Sequence, residues 1–92
     1  MDDPKEIWWF DRWFASRPIT GPHKVIRNKK HLWVVIEGQD MWHVPKEDAY
    51  PTKNEALLAH YKFNERRIIK EHKNTDEKMR LLKKYYSEEL DG

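Results

Sequence analysis

Four cations recur along one stretch of the chain, Lys62, Arg66, Lys70 and Lys73. On a helix these spacings stack the charges one above another, in an arc opposite Leu57, Tyr61 and Ile68. Over that stretch the arc holds no carboxylate, and Arg67 and Lys53 lie near enough to extend it. The solvated face of an amphipathic helix usually mixes signs. A single-sign row instead suits a string of phosphates, each contact releasing counterions and weakening with salt.

A second basic cluster, Lys24, Arg27, Lys29, Lys30 and His31, precedes Trp33. Cations interleaved with aromatics suit single strands, because the charge holds a phosphate while a ring stacks a base, at about 1–3 kcal/mol per base. Lysines at a turn also shield a sheet edge from unwanted pairing, and Trp33 and Trp42 serve equally as core.

Other chemistries find little to work with. The five histidines include no H-x-x-x-H or H-E-x-x-H pair, and although His31 and His43 can approach across a hairpin, no third or fourth metal ligand is evident. Ser16 and Ser87 lie in no nucleophile-elbow context, and Gly21, Gly38 and Gly92 cannot form a phosphate-cradling loop. No catalytic residue, metal or cofactor is expected. The chain has no Cys, which excludes disulfides and thiolate zinc sites and points to a cytoplasmic location.

These residues must be positioned by a small set of elements. Asp3-Pro4-Lys5-Glu6 has the form of a helix start, and Ile7, Trp9, Phe10, Trp13 and Phe14 fill a broad arc of a helix from about Pro4 to Ala15. Trp8 stands alone on its polar side. Ser16-Arg17-Pro18 stops this helix, and Thr20-Gly21-Pro22 links it to a sheet. The period then becomes two: His23 to Arg27 is a candidate strand, His31 to Glu37 the strongest one, and Met41 to Val44 its partner across a turn at Gly38, with Ala49-Tyr50 available for a short edge pairing. Thr52-Lys53-Asn54-Glu55 is a capping box that opens a helix to at least Glu71. Asn74-Thr75-Asp76-Glu77 starts a second helix to about Leu90, unless both run on as one.

The segment Leu32 to His60, with its hairpin turn followed by the capping box, resembles the strand-to-helix junction of small sheet-plus-helix modules such as the arm-binding domains of phage integrases. It departs from that pattern in carrying Trp33 and Val35 on its second face, where the integrase modules place polar DNA-reading side chains. In size, Cys-free composition and charged helical tail the chain is similar to small phage-encoded accessory proteins.

The expected fold is therefore α+β: an N-terminal aromatic helix, an antiparallel sheet of two or three strands, then one long or two consecutive C-terminal helices. Residues 1–74 make one domain, and 75–92 a helical tail packed on it or mediating association. With 92 residues, 37% charged and 38% apolar, the core depends on a few large side chains. The net charge of +2 is too small for a non-specific nucleic-acid coat, so any electrostatic site must be local. No stretch approaches the roughly 18 apolar residues of a membrane span.

The function expected is non-catalytic nucleic-acid binding, RNA or single strands favoured, with Lys62, Arg66, Lys70, Lys73 and Arg67 as phosphate contacts and Lys24, Arg27, Lys29 and Lys30 assisting. The alternative is a protein-binding inhibitor or adaptor that masks a partner through Trp8, Tyr85 and Tyr86. A homodimer is compatible with either.

Overall fold

The computed structural model describes residues 3–12 and 17–90. Five strands come first, β1 (Glu6–Phe10), β2 (Ile19–Asn28), β3 (Leu32–Glu37), β4 (Asp40–Pro45) and β5 (Ala49–Tyr50), with a single 3-10 turn at Lys46–Asp48 before β5. Two helices follow, α1 (Lys53–Glu71) and α2 (Thr75–Glu89). All strand pairs are antiparallel and the sheet order is β4-β3-β2-β1-β5.

This order forces the sheet to roll. Strands β4 and β5 lie at opposite edges, which in a flat sheet are about 19 Å apart at four strand spacings. They are joined only by Lys46–Asp48. The four Cα steps from Pro45 to Ala49 span at most about 15 Å fully extended, and less when coiled as a 3-10 turn. The edges must therefore curl toward each other. The inner face of the curl holds the core: Ile7, Val35 and Val44 are buried, with Trp9, Val25, Trp33 and Ala49 packed around them.

Strand β2 supplies the bend. Its pairing with β1 slips between His23 and Thr20, placing Gly21 and Pro22 opposite Trp8 alone, and its pairing with β3 slips at Ile26. Two bulges in one ten-residue strand sharpen twist and curvature, which lets β2 serve both neighbours. Gly21 adopts φ +149, and a Cβ there would stand 2.8 Å from Trp8 Cδ2. Glycine is needed on both counts.

The expected N-terminal aromatic helix is overturned, because Glu6–Phe10 is an interior strand of the sheet, between β2 and the edge strand β5. Ile7 and Trp9 face the interior, while Phe10 points the other way against His60 and Phe63 of α1. A strand covered on both faces has no polar alternation, and its Ile7 and Phe10 mimic the three-residue spacing of a helix face. Asp3 caps nothing there; its carboxylate accepts a hydrogen bond from Asn28 Nδ2 at 3.0 Å. Trp13, Phe14 and Ala15, the rest of that expected helix, lie outside the described residues. The sheet has five strands where two or three were expected, because β1 joins it and Ala49–Tyr50 makes its short edge pairing as β5; Thr20-Gly21-Pro22, expected as a linker, lengthens β2.

The forward half of the capping box forms as expected, Thr52 Oγ1 accepting from the Glu55 N–H at 3.2 Å; Glu55 reaches back to the Thr52 hydroxyl, which donates to Glu55 Oε2 at 3.1 Å, and not to the backbone N–H of the box pattern. Helix α1 stops where His72 enters the left-handed region at φ 54, followed by Asn74 at φ 52, so there are two helices and not one. They form an antiparallel hairpin, held by buried Ile68 and Leu82, by ring contacts of Tyr61 with Tyr86 and of His60 with Tyr85, and by Lys78–Glu71 near the turn. Among the described residues no helix is long and apolar enough to cross a membrane.

Gly21→Ala is expected to destabilise the fold by about 1–3 kcal/mol, from positive φ and from the contact with Trp8. A melting temperature equal to that of the parent would remove Gly21 from the constraints on β2.

Candidate nucleic-acid interface

The exposed face of α1 and the outer side of β1 and β5 enclose a groove of about 580 Å³. Its lining brings together Arg12, Lys62, Arg66, Arg67 and Lys70 with Phe10, Tyr50 and Phe63. Each charge has a local origin. Lys62, Arg66 and Lys70 follow one another at helical spacing on α1, because Ala56, Leu57 and Ile68 turn the opposite face inward. All three are exposed, and among the described residues no carboxylate lies within ion-pair distance of them. Arg67 sits one position round the helix, lining both this groove and the cleft between the two helices.

Arg12 lies in the turn two residues beyond β1. Its guanidinium lies over the Phe63 ring at 5.1 Å and the Phe10 ring at 5.8 Å, and it donates to the buried Asp48 carboxylate at 2.5 Å. Asp48 stands in the 3-10 turn between β4 and β5, so the ion pair fastens that turn to β1. The Asp48 carboxylate is thereby engaged, and the charged side chains that line the groove are all cationic. Tyr50 completes the wall; burial, and next the nearby Asp48 charge, hold its hydroxyl above the ordinary tyrosine range, so the ring is neutral.

The other residues singled out in the sequence lie elsewhere. Lys73 follows the left-handed cap at His72 and is not in the groove lining. Lys24, opposite Ile36, and Arg27, opposite Val34, are exposed on the sheet, and Lys29 and Lys30 occupy the β2–β3 turn. None of these four lines the groove. Trp8 is half-buried beside Gly21 and opposite Tyr50, while Tyr85 and Tyr86 are half-buried against His60 and Tyr61. His43 lies opposite Val34, three residues from His31, and among the described residues no three His, Asp or Glu side chains converge as metal ligands.

Arg12, Phe10, Tyr50 and Phe63 were not legible as site residues. Phe63 carried a faint signal, being next to Lys62 and three residues before Arg66 on the same helix. Arg12 and Tyr50 carried none, since only the sheet order sets them beside α1. Comparison with known proteins found no matching family model, no matching curated protein and no matching solved structure.

Two histidines couple the fold to pH. Burial lowers His23 below the ordinary 6.5, with Glu37 pulling the other way, and burial lowers His60, with Arg67 adding to the effect. The unfolded chain takes up protons on both near pH 6.5, where the folded chain does not. Their contribution to stability is therefore complete above that value and is lost as pH falls through it. The melting temperature should drop between about pH 7.5 and about pH 5.5, and less so in His60→Gln than in the parent. A flat profile across that interval would contradict the burial of both rings.

Proposed function

We propose that this protein binds nucleic acid without catalysis, with RNA or single strands preferred, through the groove beside α1. The observation that carries the reading is the convergence of Lys62, Arg66, Arg67 and Lys70 with Arg12 on one surface that also presents Tyr50 and Phe63. Phosphates track the row of cations, and the rings offer stacking faces to unpaired bases. A duplex keeps its bases stacked inside and gains nothing from those rings, which favours single strands. Lys24, Arg27, Lys29 and Lys30 lie outside the groove and act, if a strand is long enough to reach them, as auxiliary phosphate contacts.

The test is fluorescence anisotropy with labelled single-stranded RNA, single-stranded DNA and duplex DNA over a range of salt. Arg66→Glu with Lys70→Glu should weaken binding to all sequences alike and reduce the slope of log affinity against log salt by about 2, one for each lost phosphate contact. Lys73→Glu should have the smaller effect. Unchanged affinity in the double variant, or absence of binding at low salt, would refute this assignment.

A further inference from the structure

A second cavity, of about 320 Å³, opens on the inner side of the rolled sheet and has the opposite character. It is lined by Trp9, Trp42, His23, Thr20, Glu37, Asp11 and Arg17. Trp9 of β1 and Trp42 of β4 belong to strands three positions apart in the sheet, yet their ring centroids are 6.4 Å apart with planes at 50°. The two indoles thus form a V that only a rolled sheet can assemble. Trp42 is 43% exposed, a large aromatic surface that the core does not use.

The floor is built rather than incidental. His23 is 4% exposed, accepts or donates through Nε2 to Thr20 Oγ1 at 2.9 Å, and lies edge-on to Trp9 with centroids 6.4 Å apart. Its Nδ1 makes no hydrogen bond and faces Glu37 Oε2 at 3.6 Å. The rim carries the exposed carboxylate of Glu37, together with Asp11 and Arg17. Asp40, directly opposite Glu37 across the β3–β4 turn, adds a further negative charge nearby.

From the paired indole faces and the carboxylates at their rim, we propose that this cavity is a binding site for an organic ammonium ion, the methylated head of a lysine side chain on a protein partner. Indole faces carry negative potential and attract cations, most strongly those that lose little hydration on entry, as methylated ammonium groups do. The carboxylates supply long-range attraction and repel phosphate, which separates this site from the basic groove of α1. The cavity is too small for a folded surface but fits one side-chain head, so specificity comes from a single protruding residue. The proposal stands independently of nucleic-acid binding.

The experiment is a titration with the N-acetyl, C-amide derivative of trimethyllysine, followed by two-dimensional amide NMR, in which each of the five Trp side chains gives its own indole N–H signal. Its neutral analogue, in which a carbon replaces the quaternary nitrogen, is the control. Saturable shifts centred on the Trp9 and Trp42 signals are expected, with the neutral analogue at least about tenfold weaker. Trp42→Ala should abolish binding, and Glu37→Gln should weaken it severalfold without changing the fold, as judged by an otherwise unaltered spectrum. Arg66→Glu with Lys70→Glu should leave it intact. Equal binding of the two analogues, no saturable shift, or shifts confined to other tryptophans would overturn the assignment.

Discussion

The turn from Lys46 to Asp48 is too short to join the edges of a flat sheet, and the rest of the molecule follows from that shortage. Rolling the sheet lets Ile7, Val35 and Val44 bury one another, with Trp9, Val25, Trp33 and Ala49 packed around them. It also leaves the outer side of β1 and β5 free to receive α1, through Phe10 against His60 and Phe63. The Arg12–Asp48 pair secures the arrangement. Breaking a pair of this kind leaves a buried carboxylate without its partner, which costs far more than an exposed ion pair contributes.

The same curl sorts charge. Outside, the helix presents Lys62, Arg66, Arg67 and Lys70 to solvent, and the Asp48 carboxylate is paired with Arg12. On the inner side Glu37 and Asp11 stand at the rim of two indoles. A chain whose net charge is only +2 thereby carries a basic groove on one side and, on the other, a cavity where Glu37 and Asp11 stand with Arg17, each backed by aromatic rings. Net charge averages over exactly the separation that matters for recognition, and local fields decide which ligand approaches each face.

How far the sequence could be read depended on whether a signal was local. The cap at Thr52 is a contact between residues three apart, and its bond from the Glu55 N–H to Thr52 Oγ1 forms as the pattern requires. The turn at Gly38 joins neighbouring strands in register from Leu32 opposite Pro45 to Glu37 opposite Asp40. Ile7-Trp8-Trp9-Phe10 was opaque for the opposite reason. Its two faces are covered by elements far away in the chain, α1 on one side and β3 and β4 on the other, and that double cover erases the alternation by which a strand is recognised.

The sequence by itself determined the helical run from Lys53 to about Leu90, the β3–β4 hairpin and the row Lys62, Arg66, Lys70, because each rests on helical or strand periodicity within a few residues; the break into two helices came only with the left-handed backbone at His72 and Asn74. Only the tertiary structure decided that the row is walled by Arg12, Tyr50 and Phe63, that Lys73 falls beyond the helix end, and that Trp9 meets Trp42 beside Glu37. Those juxtapositions depend on strand order and on the curvature imposed by a three-residue link and two bulges. Both are properties of the rolled sheet as a whole, and no window of sequence contains them.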